Sequence, residues 1–282
     1  EYLRAKKNYS SCKYYWRNIK MKNLSLDGLI FEATKIDIKS NIMTITLNRP
    51  EKKNALNNVM MNEINYALAY AKQERSIRVI CIAAEGDIFC AGADLSRTES
   101  ESNVPKLDYA DDISMSLRHL YKPVVCKIQG SVLAGALLIV TNSTHAIATK
   151  EATFSAPEIH RGLWPFMVMA GLFRVMPKRA GLDFIMRGKP IDSKKAQEWG
   201  LINEYVDGDC LDKKVNELTK ELASLAPETM QYGLEAYDKQ DSKSFDEALP
   251  YLKEQIAECF KGKDAQEGIT AFLEKRKPNW DK

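Results

Sequence analysis

The chain has 282 residues, 45% of them hydrophobic, and sets 41 basic against 38 acidic side chains for a net charge of +3. It is long enough to bury a full core as one large domain or two small ones, and too evenly charged for a dedicated nucleic-acid binder. Six scattered cysteines without C-x-x-C spacing, three histidines without ligand spacing and no apolar run near ~18 residues argue against a disulfide framework, a metal site and a membrane span.

Residues 1–20 differ from the rest. Arg4, Lys6, Lys7, Lys13, Arg17 and Lys20 face one acid, Glu1, among tyrosines and Trp16. A basic, acid-poor stretch is one mark of a transit peptide, which would send the chain to the mitochondrial matrix. The aromatics lack helical spacing, so the expectation is an extension without structure on a cytoplasmic protein.

From Ile30 the chain reads as strands. Ile30–Ala33, Ile36–Ile38 and Ile42–Leu47 alternate like a β-meander, ended by Asn48-Arg49-Pro50 because proline cannot donate to a ladder. Asn54 to Asn58 can cap a helix over Met60–Gln73, where Met61, Ile64, Leu68 and Ala71 share one face. Val79–Ala84 is apolar throughout, the pattern of a strand buried on both sides. A loop rich in Gly and Ala follows, then a polar surface segment at 97–106 and a helix through Ile113, Leu117 and Leu120. Val124–Ile128 is another apolar strand, Leu133 to Ala136 a small-residue turn, Leu137–Val140 a helix and Ala146–Thr149 a strand. Beyond Pro165 the pattern is mostly helical: Phe166–Val175, Ala180–Met186, Ser193–Trp199, Leu211–Leu225, Pro227–Tyr237, Ser244–Phe260 and Asp264–Lys277. This alternation predicts an α/β fold with repeated ββα turns. Three parts are expected: the extension at 1–20, a core bearing the site at 21–206, and a C-terminal helical region at 207–282.

Three features carry chemistry. The turns Ala91-Gly92-Ala93 and Ala134-Gly135-Ala136 each follow an apolar strand, and small residues let a ligand approach the peptide N–H groups. If both face one cleft, their donors converge on one oxygen; otherwise each turn is a packing device. Glu158 precedes the apolar stretch Leu163 to Phe166, where large side chains would raise its pKa and suit it to acid–base work. The plainer reading is a surface or helix-terminal glutamate, and His160 close by is expected to be exposed. Phe272 followed by Lys275-Arg276-Lys277 is either a solvated helix end or a phosphate-binding patch.

These pieces in this order resemble the crotonase superfamily, the enoyl-CoA hydratase/isomerase family. The matching strings are Ile45 to Pro50 with Asn54-Ala55-Leu56, Phe89 to Leu95, Gln129-Gly130 to Gly135, Phe154 to Glu158, Ala196 to Ile202 and Glu267 to Lys277. The resemblance implies a spiral of ββα units with a C-terminal helical region, assembled as a trimer or hexamer. It also implies an acyl-CoA substrate whose thioester oxygen is held by the Ala93 and Gly135 N–H groups, with no cofactor beyond the CoA of the substrate. Lys53, Ala55, Leu56, Ala91, Asp94 and Leu95 would then line the CoA path. Phe272 and Lys275 would reach its nucleotide end, often from a neighbouring subunit. Trp164 either shapes the acyl pocket or is simply part of the core.

One departure narrows the chemistry. Hydratases of this family carry Gly-Gly-Gly-Cys-Glu-Leu where this chain reads Ala134-Gly135-Ala136-Leu137-Leu138-Ile139, so Leu138 stands in place of the first glutamate. Glu158 matches the second. A carboxylate and a leucine hold water poorly, whereas moving a double bond from β,γ to α,β needs one base. Leu138 would exclude water and raise the pKa of Glu158. The same single-glutamate pattern marks the Δ3,Δ2-enoyl-CoA isomerases. The expectation is therefore isomerisation with Glu158 as base. Hydration by Glu158 alone and a non-catalytic acyl-CoA-binding relative are the alternatives.

Overall fold

The computed structural model describes residues 24–96, 102–107 and 112–281. The extension expected at 1–20 and part of the polar segment expected at 97–106 lie outside the described residues.

Strands β1 (Thr34–Lys39) and β2 (Ile42–Leu47) pair antiparallel through Ser40 and Asn41, both at positive φ, as a two-residue hairpin turn requires. Helix α1 (Asn58–Gln73) follows, its first turn capped by the Asn57 side chain, which accepts the Met60 N–H at 2.9 Å. The chain then runs β3 (Val79–Ala84), β4 (Ile88–Cys90), α2 (Ile113–Arg118), β5 (Val124–Ile128), β6 (Ser131–Leu133), α3 (Leu137–Asn142), β7 (His145–Thr149), β8 (Thr153–Ser155) and α4 (Phe166–Val175). Next come α5 (Lys178–Arg187), β9 (Ile191–Asp192), α6 (Ser193–Glu198) and β10 (Glu204–Val206).

The units β3-β4-α2, β5-β6-α3 and β7-β8-α4 are three successive turns of one spiral. The first strand of each joins a six-stranded sheet of order β1-β2-β3-β5-β7-β10, parallel from β2 onward. The second strand of each joins a smaller sheet of order β4-β6-β8-β9. The main core lies among these sheets and the helices, and Val79–Ala84 is buried on both faces, as its unbroken apolar run predicts. Helix α7 (Leu211–Ala223) covers the other side of the main sheet, packing Leu211, Val215 and Ala223 on Val79, Cys81, Val125 and Ile147. Helices α8 (Pro227–Gln240), α9 (Phe245–Cys259) and α10 (Lys263–Leu273) complete the chain, with α9 and α10 packed on α8.

Two expectations are corrected. Residues 30–33 form no strand. The fully buried carboxylate of Glu63 accepts the N–H groups of Glu32 and Ala33 and the Thr34 hydroxyl, so this backbone is satisfied by a side chain. The last helix ends at Leu273 rather than Lys277, because Lys275 is left-handed (φ 55°) and the Arg276 N–H turns back to the Ala271 carbonyl at 3.0 Å.

Candidate active site

The small sheet explains how distant parts of the sequence meet. β4, β6 and β8 are adjacent and parallel, with Cys90 beside Val132, Val132 beside Phe154 and Leu133 beside Ser155. Their C-terminal ends therefore lie in a row, about 4.8 Å apart per strand. From those ends emerge Ala91–Ala93, Ala134–Ala136 and Pro157–Glu158 in turn. Both small-residue turns and the glutamate share one edge of one sheet.

The two turns touch. A side chain on Gly92 would begin 2.8 Å from the Leu133 carbonyl oxygen and 3.0 Å from the Gly135 nitrogen; Gly92 also sits at φ +90°, which favours glycine. A side chain on Gly135 would begin 3.3 Å from the Ala93 nitrogen. In the bridge between Leu56 and Ala93, the Leu56 N–H bonds the Gly92 carbonyl (2.8 Å) and the Asp94 N–H bonds the Leu56 carbonyl (2.9 Å). The Ala93 N–H consequently faces away from Leu56. Neither it nor the Gly135 N–H has a hydrogen-bond partner among the described residues. Two unpaired donors thus stand side by side.

The loop bearing Ala93 is held by side chains. Asn54, at 0% exposure, accepts the Arg49 N–H and donates to the carbonyls of Glu85 (2.8 Å) and Ile88 (2.9 Å). The Arg49 guanidinium donates to the Ala55 carbonyl at 2.6 Å and to Asp94 Oδ2 at 3.1 Å from both Nη1 and Nη2. Hydrogen bonds from Ser96, then those from Arg49, hold the Asp94 carboxyl down to about 2. The Gly92 N–H points to Cys90 Sγ at 3.4 Å, and burial pushes that thiol up to about 12.

Glu158 sits in a single helical turn, Pro157–Arg161, and is half-buried. Its Oε2 is shut off from solvent and has no hydrogen-bond partner among the described residues. Burial raises its pKa above the ordinary glutamate range, opposed by a hydrogen bond from its own backbone and by the charge of Arg161. A buried carboxylate oxygen without a donor is costly to keep, and such groups cluster where chemistry is done.

The family model for enoyl-CoA hydratase/isomerase matches residues 37–282. The chain belongs to the enoyl-CoA hydratase/isomerase family. Among its curated relatives, enoyl-CoA hydratase domain-containing protein 3 of Rattus norvegicus, a mitochondrial protein, is 26% identical over 85% of this chain and 81% of its own length. Mevalonyl-coenzyme A hydratase sidH of Aspergillus fumigatus is 29% identical over 85% of this chain and 91% of its own. Crystal structures of an enoyl-CoA hydratase from Mycobacterium smegmatis and of human enoyl-CoA hydratase domain-containing protein 3 each superpose with a TM-score of 0.81 at 26% identity. They cover 89% and 88% of this chain and 100% of their own.

Within this crotonase fold the structure groups most of the residues singled out from the sequence. Ala91, Ala93, Asp94 and Leu95 form one ledge with Lys53, Ala55 and Leu56, joined by the Leu56–Ala93 bridge and by the Ala91 N–H on the Lys53 carbonyl at 3.0 Å. Lys53 and Leu95 are exposed along it, while Leu56 is buried. Leu138 lies on α3 within the main core, 5% exposed. Trp164 packs against that core, its Nε1–H directed to Met169 Sδ at 3.1 Å. His160 is exposed, with its ring close to Gly188 at the end of α5. Phe272 and Lys275 belong to the α10 end, and α10 packs chiefly on α8 rather than on the ledge. Sequence reasoning assigned no role to Arg49 or Cys90. The signals for Arg49 were its place beside Pro50 at the end of a strand and within the string Ile45 to Pro50.

Proposed function

We propose that this protein shifts the double bond of a 3-enoyl-CoA to the 2-position, with Glu158 as the base that removes the α-proton and returns it at the γ-carbon. The observation that carries this reading is the single buried carboxylate oxygen at the edge where two unpaired N–H groups converge, with the nonpolar Leu138 in the core. Proton removal beside a thioester builds negative charge on its oxygen, and the Ala93 and Gly135 donors are aimed to receive it. Each donor of this kind contributes about 3 kcal/mol of transition-state stabilisation. The carboxylate must be ionised to accept the proton; its raised pKa then makes it a stronger base and a ready donor in the return step. The ledge formed by Lys53, Ala55, Leu56, Ala91 and Leu95 takes the CoA portion, and Trp164 borders the acyl group. The reaction needs only a base and two donors.

Hydration of a 2-enoyl-CoA is the second reading, and the hydratase names of the relatives favour it. Purified protein supplied with 3-enoyl-CoA and, separately, with crotonyl-CoA discriminates the two. Isomerisation is expected; efficient hydration without any double-bond shift would overturn the proposal. Glu158→Gln is expected to lower turnover by about 100- to 10,000-fold while acyl-CoA affinity stays within a few-fold. Retained turnover would place the base elsewhere.

Self-association belongs to the same reading. Phe245, Leu249, Leu252 and Ile256 on α9, Phe260 just after it, and Phe272 and Leu273 at the end of α10 are exposed. Apolar side chains in this number on the C-terminal helices favour a homotrimer or hexamer, in which Phe272 and Lys275 of one copy reach the CoA of the next.

A further inference from the structure

Beyond Cys90 the loop that presents the Ala93 N–H has no sheet to hold it. β4 ends at Cys90, and only the isolated bridge to Leu56 follows. Both sides of that bridge are gripped by one side chain. Arg49 Nη1 donates to the carbonyl of Ala55, the residue before Leu56, and also to Oδ2 of Asp94, the residue after Ala93. Nη2 adds a second bond to the same oxygen at 3.1 Å. The other carboxylate oxygen accepts the Ser96 N–H at 3.0 Å, so both oxygens of Asp94 are occupied. The pair is sheltered, with the two side chains 17% and 14% exposed. Arg49 is itself fixed, its N–H bonded to buried Asn54 at 2.8 Å, and Asn54 is anchored on Glu85 and Ile88 across the loop.

We propose that Arg49 is a positioning residue for the reaction, acting through Asp94 to set where the Ala93 N–H points. The proposal rests on the assignment of Ala93 and Gly135 as the two donors to the thioester oxygen. It reverses the expectation that Asp94 serves to bind CoA: its carboxylate is committed to Arg49 and Ser96. The guanidinium matters as a fork, because one planar group reaches a carbonyl on one side of the bridge and a carboxylate on the other. A lysine keeps the charge but offers no such fork. Misplacing a catalytic donor by about 1 Å costs on the order of 100-fold in rate, so a clamp remote from the reacting atoms has a large lever.

The test uses full-length protein and three variants: Arg49→Lys, Asp94→Ala and Asp94→Asn, the last retaining an oxygen for Arg49. On 3-enoyl-CoA, Arg49→Lys and Asp94→Ala are expected to lower kcat by about 10- to 100-fold with KM within about 3-fold, and Asp94→Asn to recover most of the loss. A raised KM with kcat unchanged would overturn the proposal and return Asp94 to CoA binding. The deciding readout is the infrared stretch of a carbonyl-labelled 2-enoyl-CoA thioester bound to each folded variant. Wild type is expected to shift it to lower frequency, and Arg49→Lys and Asp94→Ala to shift it less. An undiminished shift in both variants would overturn the role of Arg49 alone. No shift in wild type would overturn the two-donor assignment beneath it.

Discussion

On the proposal that Glu158 is the base, stability and turnover make opposite demands on it. Its pKa is raised in the folded state, so the fold favours the protonated form, and ionisation costs stability as pH rises through the unfolded value. Glu158→Gln is therefore expected to raise the melting temperature at neutral pH while removing turnover, which thermal denaturation beside a rate assay will check. The acidic limb of the kcat/KM profile is expected above the ordinary glutamate value of about 4.3, because the base works only when ionised. Asp94 behaves in the reverse sense. Its pKa is depressed to about 2, so its contribution to stability is present above the unfolded value near 3.9 and is lost as pH falls toward about 2. At Gly92 any side chain meets the Leu133 carbonyl at 2.8 Å, so Gly92→Ala must push the two turns apart. That variant is expected to destabilise by about 1–3 kcal/mol and to lose turnover, measured by urea denaturation and by rate.

The elements are tied together by charged side chains at helix ends. Asp264 at the start of α10 is buried and accepts the Glu228 N–H at 2.6 Å and the Thr229 N–H at 3.4 Å, so it caps the first turn of α8 from another helix. Asp264→Ala is expected to cost about 1–2 kcal/mol in chemical denaturation and to loosen α10 against α8. Arg118, the last residue of α2, binds Asp238 and Asp241 on and just after α8, and Arg174 on α4 also binds Asp241. Lys122 sits at the other end of this seam, its ammonium donating to the carbonyls of Ala71, Glu74 and Ile77 and closing the C-terminus of α1. The Arg118 and Arg174 ion pairs thus join α8 to the spiral through polar groups, whereas α7 packs on the main sheet through apolar side chains.

At the scale of the whole molecule, the exposed apolar side chains of α9 and α10 are where the proposed self-association is tested. Phe272 is 81% exposed beside Leu273 at 73%. Replacing both with Glu is expected to shift the protein toward monomer in sedimentation velocity. If Phe272 serves the CoA of a neighbouring copy, KM for acyl-CoA rises in the same variant. An unchanged mass and KM would remove the α10 end from the interface. No helix among the described residues is long and apolar enough to cross a membrane.

Sequence alone determined the α/β class, the long buried strands and most helices, because apolar periodicity over six or more residues reports which faces meet a core. It also marked both small-residue turns, Glu158, and the leucine where the family's hydratases carry a second glutamate. It could not show the second sheet. β4, β6 and β8 have three residues each, too few for a pattern, and their pairing is a matter of long-range register. That register aligns the strand ends and so brings the two N–H groups together at the edge where Glu158 emerges. The Arg49–Asp94 clamp was equally hidden, since 45 residues separate two charges whose meaning lies in the bridge between them. Tertiary structure decided the geometry because the site is built from loop backbone, and only neighbouring strands fix where loop backbone points.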